Sequence, residues 1–508
     1  MSKTSISKKV MIMIFAVIFL ISTVSFSHAN LQSKLNQPSY DKFGEIGQIN
    51  MKNWTFMLYD DADFLRAFDP LNWFSEEAYS TGNLNTIVLQ DKERGPAKIW
   101  YIEENHQKTL VQKMEEINMG DASTLQNFIE FCKSNYTANR YILALYDHGM
   151  GWYGACIDET NDDYLTMDEI QQAINATGGV DIVCFTAPCR MGAVESAYEL
   201  KDCTDLYIGS EEGSGYVWWG DIIGEICDSL NDSPNQSIIE FGIDVIDLIY
   251  ENSYEWPEWK ADLTMSAIQT NKLNRLVDAI NELSIDFIEN YEELYENITI
   301  AYENTISFGY GYGIDIYDFT NECLQVFSNE TLIKKLNNVQ KNVSDAVIAE
   351  CHGENKSDAQ GLSIYFPDQD SPWWSYDISY SFCNLDFTEN TYWDEFLIKY
   401  LNISNETTIV YILKPTNGLY LKNNKIFTPF IKMILGDIEI KVAAADLDGI
   451  ERVEFFINNQ NKHIDTTYPY SWIWEKKLPF RFRNVIKVIA YDNKGNSAYN
   501  KVTVIRIF

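Results

Sequence analysis

A chain of 508 residues, 46% apolar and 14% aromatic, is too long for one hydrophobic core and too apolar to be disordered, so several folded domains are expected. Its formal charge of -35 argues against nucleic acid or an anionic membrane as partner, because both require clustered Lys and Arg. An acidic coat keeps such a chain soluble and draws cations or basic substrates toward it.

In chain order, Lys3, Lys8 and Lys9 precede an apolar run from Val10 to Val24, and Ser27-His28-Ala29 then offers the small residues that a signal peptidase reads. The run is short against the roughly 20 residues of a membrane span. Residues 1–29 are therefore expected to be a signal peptide and 30–50 a polar leader or pro-segment. That places the mature chain outside the cytoplasm, secreted or at the cell surface, and glycosylation triplets such as Asn53-Trp-Thr and Asn405-Glu-Thr agree with export. Nine cysteines leave one over if the rest pair, and Cys184, inside an apolar run, reads as a buried thiol.

From Trp54, continuous apolar runs alternate with helix-length segments. Strands are expected at Trp54–Tyr59, Asn85–Gln90, Lys98–Ile102, Arg140–Tyr146, Val180–Thr186, Leu206–Gly209 and Gly361–Phe366. Runs of this kind suit strands buried on both faces of a parallel sheet. Ser123–Asn135, opening on a Ser or Thr cap, and Met191–Leu200 read as helices, and 270–350 as helix-rich. The expectation for 51–401 is an α/β domain of α/β/α layers. After the polar stretch Asn402–Thr408 the pattern turns all-β, with strands at Asp437–Ala445, Val453–Ile457, Tyr470–Trp474, Val485–Tyr491 and Val502–Ile507, so 406–508 is expected to form a β-sandwich.

Two strand ends carry the chemistry. Arg140–Tyr146 runs into Asp147-His148-Gly149-Met150-Gly151, placing a histidine where open α/β sheets build their sites. Of the other histidines, His28 belongs to the signal peptide, His106 and His463 fall in expected exposed turns, and His352 ends an expected helix. Val180–Thr186 leads through Ala187-Pro188 to Cys189, at the mouth of the expected helix, where a thiolate is stabilised. Sulfur and imidazole on neighbouring strand ends can reach one carbonyl.

These residues resemble the clostripain family of caspase-like cysteine peptidases. The resemblance rests on His148-Gly149, on Cys189-Arg-Met-Gly-Ala-Val-Glu-Ser-Ala-Tyr-Glu-Leu200, on Gly209-Ser-Glu-Glu212, on Gly361-Leu-Ser-Ile-Tyr-Phe-Pro367, and on Trp54–Tyr59 followed by Asp61 and Asp63. It implies a caspase-like fold and a secreted endopeptidase acting on protein or peptide substrates, with Cys189 as nucleophile and His148 as base. Gly149 and the Cys189 amide would stabilise the oxyanion. The family usually has Asp two residues before the nucleophile, in the pocket for Arg or Lys; Ala187 stands there, so Glu211, Glu212 or Asp221 would have to supply the charge, or Trp218 and Trp219 wall an apolar pocket.

No cofactor is required for this chemistry, and no Cys or His spacing suggests zinc. Relatives respond to calcium, and Asp60, Asp61 and Asp63, with Asp158, Glu159, Asp162 and Asp163, offer oxygen ligands, although neither group fits the twelve-residue calcium loop and both read as solvated turns. Family members also mature by self-cleavage, for which Asn161–Leu165 is an exposed candidate region. The C-terminal segment resembles the immunoglobulin-like modules of exported prokaryotic proteins, on Asp446 with Gly449-Ile450, Val453–Ile457, Pro469-Tyr470 with Trp472, and Ala490-Tyr491-Asp492. Such a module implies tethering to a cell-surface or extracellular partner, with a plain structural spacer as the alternative. The competing reading is a catalytically inactive scaffold that serves in binding or adhesion, favoured by Ala187 and opposed by the intact His148, Gly149 and Cys189.

Overall fold

The computed structural model describes residues 51–508 apart from 64–69, 162, 186–188, 214–217, 254–259, 369–379, 382–384, 402–407, 416–417, 422–423, 428–431, 447–448, 469, 476–482 and 508. The expected signal peptide and leader lie outside the described residues.

The strands are β1 (Lys52–Asp61), β2 (Leu84–Asp91), β3 (Lys98–Ile102), β4 (Lys108–Lys113), β5 (Ala138–Tyr146), β6 (Gly154–Asp158), β7 (Asp163–Thr166), β8 (Val180–Phe185), β9 (Thr204–Gly209), β10 (Thr264–Gln269), β11 (Ser307–Phe308), β12 (Gly313–Asp315), β13 (Val347–His352) and β14 (Ser363–Tyr365). A nine-stranded sheet has the order β13-β10-β9-β8-β5-β1-β2-β3-β4. Its centre, β9-β8-β5-β1-β2, is parallel, and each edge is closed by antiparallel strands. The chain moves outward from β1 to β2 and then returns past β1 to β5, β8 and β9. Winding therefore reverses between β1 and β5, the place where open α/β sheets form a crevice at their carboxyl ends.

The period of two sorts each central strand onto two cores. Trp54, Phe56 and Leu58 of β1 pack with the helices Pro70–Glu77, Trp218–Asp232 and Ile238–Asn252. Met57 and Tyr59 face the helices Ala122–Asn135, Met167–Ala176 and Leu273–Glu289. With both faces covered, β1 and β2 become nearly continuous apolar runs.

Several expectations need correction. Residues 363–365 do form a strand, but it pairs with β12 in a separate sheet of order β11-β12-β14. Asp121, not Ser or Thr, caps Ala122–Asn135, its side chain accepting from the Ser123 N–H. His352 ends strand β13, and His463 stacks on Trp472 from a strand, with ring centroids 6.1 Å apart.

The C-terminal region is all-β. Its strands are β15 (Ile409–Lys414), β16 (Gly418–Leu421), β17 (Asn424–Phe427), β18 (Lys432–Leu435), β19 (Ile438–Ala445), β20 (Ile450–Ile457), β21 (Gln460–Asp465), β22 (Tyr470–Trp474), β23 (Arg483–Asp492) and β24 (Ser497–Ile507). They form two sheets, β15-β19-β22 and β17-β16-β18-β24-β23-β20-β21. Ile440, Val442, Val453, Phe455, Val488 and Ala490 belong to a core of their own.

Candidate active site

Because β5 and β8 are parallel neighbours, with Leu145 opposite Phe185, the segments leaving them emerge side by side at the carboxyl edge. The first carries His148. Its carbonyl accepts from the Cys156 N–H (3.0 Å), Met150 donates its N–H to the Gly154 carbonyl (2.9 Å), and Gly149 bridges to Ala155, so β6 holds the turn. Gly154 has a φ of 139°, and a Cβ there would lie 1.9 Å from the Leu165 carbonyl oxygen. Only glycine allows this approach. Burial, and then the Arg190 guanidinium, lower the His148 pKa and favour neutral imidazole.

The second segment carries Cys189, which is half-buried; Ala187 lies outside the described residues. The Arg190 N–H donates to the Glu212 carbonyl (2.9 Å) and the Gly192 N–H to that of Ser210 (2.7 Å). Tyr207 donates its hydroxyl to the Met191 carbonyl (2.6 Å), and Ser363 donates its N–H to that of Gly192 (2.9 Å). The separated stretches 189–192, 209–212 and 361–367 thus meet around one turn. A Cβ on Gly192 would sit 2.7 Å from the Glu211 nitrogen. These bonds delay the helix, which runs only over Val194–Glu199. The expectation that Cys189 stands at a helix N-terminus is corrected accordingly.

Two residues that sequence reasoning missed tie the segments together. Arg190, at a φ of 61°, lays its guanidinium 4.7 Å from the centroid of the Tyr312 ring and directs Nη2 to the Gly149 carbonyl at 3.4 Å. Tyr312 donates its hydroxyl to the Met150 carbonyl (3.1 Å). A Cβ on Gly151 would come within 2.8 Å of that hydroxyl. The available signal was the glycine-tyrosine run Gly309-Tyr-Gly-Tyr-Gly313, unusual inside a helix-rich stretch.

The acids expected to supply a pocket charge are already engaged. Glu211 is fully buried, accepts from the Gly361 N–H (3.2 Å) and bonds Asp315; burial and that neighbour raise its pKa well above the carboxylate range. Glu212 accepts from the Gly309 N–H (3.1 Å) and from Lys356 Nζ (2.7 Å). Neither carboxylate stands ready for a substrate guanidinium. The side chains of Trp218, Trp219 and Asp221 lie outside the described residues.

The acids expected in solvated turns are largely buried. Asp60, Asp61, Asp63 and Asp158 are each at most 1% exposed, and Asp91 and Asp147, which were not among those expected, are as deeply buried. Met57, Tyr59 and Asp61 share one face of β1, Ile87, Leu89 and Asp91 the same face of β2, and Leu143 and Leu145 that of β5, which Asp147 continues. Asp61 stands opposite Asp91. The apolar stripe of three neighbouring strands therefore ends in a row of carboxylates at the winding reversal. Glu159 is exposed, Asp163 is half-buried, and Asp162 lies outside the described residues. The expected exposure of Asn161–Leu165 is also corrected, because it belongs to the β6–β7 hairpin and Leu165 is fully buried.

Compared with protein-family models, residues 57–402 match the Clostripain family and 410–503 a bacterial Ig domain. The chain belongs to the clostripain family. Clostripain of Hathewaya histolytica is 28% identical over 251 residues, which are 40% of this chain and 46% of that protein, so the match spans about half of the relative's length. Among solved structures, a secreted cysteine protease from Bacteroides thetaiotaomicron with an irreversible peptide inhibitor aligns at a TM-score of 0.52 and 17% identity, over 68% of this chain and all (100%) of that one. An inactive zymogen protease from Parabacteroides distasonis gives 0.50 and 18%, covering 67% and 98%. At these identities the structures establish the fold: the caspase-like α/β layers of clostripain-family peptidases, here followed by an immunoglobulin-like β-sandwich.

Proposed function

We propose that this clostripain-family chain is an exported cysteine endopeptidase in which Cys189 and His148 form the catalytic dyad. The observation that carries this reading is the joining of their two turns through Arg190, Tyr312 and Gly149 at the carboxyl edge of adjacent strands β5 and β8. Neutral His148 takes the proton of the Cys189 thiol; the resulting thiolate attacks the scissile carbonyl and forms a C–S bond, while the Gly149 and Cys189 N–H groups bind the oxyanion. Collapse breaks the C–N bond as His148 delivers a proton to the leaving amine. Water, deprotonated by His148, then hydrolyses the thioester and frees the thiolate. Were this chain to share the family's calcium response, Asp61, Asp63, Asp91, Asp147 and Asp158 would offer the ion carboxylate oxygens and it would neutralise their charge, although among the described residues they form no ready-made metal-ligand group.

With Ala187 at the usual acidic position and Glu211 and Glu212 engaged elsewhere, the residue before the cut is proposed to be other than Arg or Lys. Fluorogenic peptides varied at that residue test both points. Turnover should occur, favour a non-basic residue, and vanish in Cys189→Ala while the variant keeps its melting temperature. A thiol-directed peptide warhead should label Cys189. Absence of hydrolysis across the whole set would leave the inactive adhesion scaffold as the better reading.

A further inference from the structure

In the turn after β5, two hydrogen bonds fix which way Gly149 faces. The His148 carbonyl accepts from the Cys156 N–H (3.0 Å), and the Met150 N–H donates to the Gly154 carbonyl (2.9 Å). The peptides on either side of Gly149 thus each give one group to β6. In a trans peptide the N–H and C=O point in opposite directions. The N–H and the carbonyl of Gly149 itself therefore both turn away from β6, as they do at the non-hydrogen-bonded position of an antiparallel pair, here the bridge between Gly149 and Ala155. On that side the carbonyl meets Nη2 of Arg190 at 3.4 Å. One side chain on the nucleophile's turn thus touches the very residue whose N–H is the oxyanion donor.

Arg190 is built into this place. It follows Cys189 directly, and its φ of 61° is one that a residue other than glycine keeps only where its surroundings hold it. Its N–H donates to the Glu212 carbonyl (2.9 Å). Its side chain passes Gly309, where a Cβ would lie 2.7 Å from Cδ, and its guanidinium rests 4.7 Å from the Tyr312 ring centroid. The Tyr312 hydroxyl bonds the Met150 carbonyl (3.1 Å), so guanidinium and ring together seat the peptides that follow His148. At 3.4 Å the bond to Gly149 is long, and the ring stacking and the full charge beside the carbonyl dipole supply much of the hold. We propose that Arg190 is a positioning residue that aims the Gly149 N–H at the oxyanion and keeps this donor in register with the nucleophile on its own turn. The inference rests on the proposed Cys189–His148 peptidase and adds to it the group that sets the donor. Such a donor acts when charge develops on oxygen, so its misalignment is read in kcat rather than in KM.

Arg190→Gly tests this on the full chain, because glycine accepts a φ of 61° and the turn keeps its backbone. With a fluorogenic peptide that the unaltered chain cleaves, kcat should fall about a hundredfold, the scale of losing one oxyanion donor, with KM nearly unchanged. A peptide aldehyde, whose adduct with Cys189 puts its oxygen at the oxyanion position, should lose affinity by the same factor. Added ethylguanidinium chloride should restore part of kcat, and ethylammonium chloride should not. Arg190→Lys, which keeps the charge without the planar fork, should fall between the unaltered chain and Arg190→Gly. Unchanged kcat and aldehyde affinity in Arg190→Gly, or a raised KM with kcat intact, would overturn the positioning role and leave the peptidase reading as it stands. An unaltered chain that cleaves no peptide and binds no aldehyde would remove that reading, and this inference with it.

Discussion

At Gly192 the chain passes so close to Ser210 and Glu211 that one added methyl group meets backbone on the far side. Gly192→Ala must push the 189–192 turn off β9, at a cost of about 1–3 kcal/mol, the usual range for overpacking. Because Cys189 rides on that turn, peptide hydrolysis should fall much further than the urea midpoint does. Glu195, on the following helix, offers a pH test. It is fully buried, accepts from the Tyr365 N–H and the Tyr380 hydroxyl (2.8 Å each), and burial pushes its pKa up to about 7 from the ordinary 4.5. A carboxyl raised in the folded state contributes full stability below its unfolded value and loses it as pH rises through the folded one. Glu195 therefore weakens the fold progressively from pH 4.5 to above 7, by up to about 1.4 kcal/mol per pH unit. Glu195→Gln should flatten that decline in melts taken between pH 5 and 8, and an unchanged slope would remove Glu195 as its source.

Among the elements, the hairpin β6–β7 supports the His148 turn and then runs directly into the helix Met167–Ala176. Thr166 and Glu169 close that junction as a capping box, each side chain bonding the other's backbone N–H. Thr166→Ala should cost about 1 kcal/mol, the ordinary worth of such a cap, measurable by urea unfolding. The central strands were legible because burial on both faces leaves uninterrupted apolar runs, and β23 because its burial alternates. By contrast, β4 was hidden, being an edge strand with two lysines and substantial exposure, and β13 follows the helix Glu330–Ala346 with no intervening loop signal. The positions of His148 and Cys189 at strand ends could be read from one dimension. The bridge through Arg190 and Tyr312 could not, because 122 residues of separation is invisible to any local pattern. The burial of Asp61 was missed for a related reason: adjacent acids look solvated until neighbouring strands place Asp91 and Asp147 beside them.

On the scale of the whole molecule, the all-β region owns a core that shares no residue with those flanking the nine-stranded sheet. Removing residues 406–508 should therefore leave small-peptide cleavage intact, and any attachment to cells or matrix should go with the removed segment. Loss of peptide cleavage on truncation would show that the β-sandwich props up the site. The distribution of sulfur has a further consequence. Every described cysteine is a thiol rather than half of a disulfide, and among the described residues Cys189 is the one cysteine that is not buried. Mild peroxide should accordingly convert the Cys189 sulfur to a sulfenic acid long before it touches the seven buried thiols. Such treatment should extinguish hydrolysis at constant melting temperature, and dithiothreitol should restore it. The scaffold would then stand indifferent to oxygen while its turnover recorded each exposure, confining work to reducing surroundings without any sensor beyond the nucleophile.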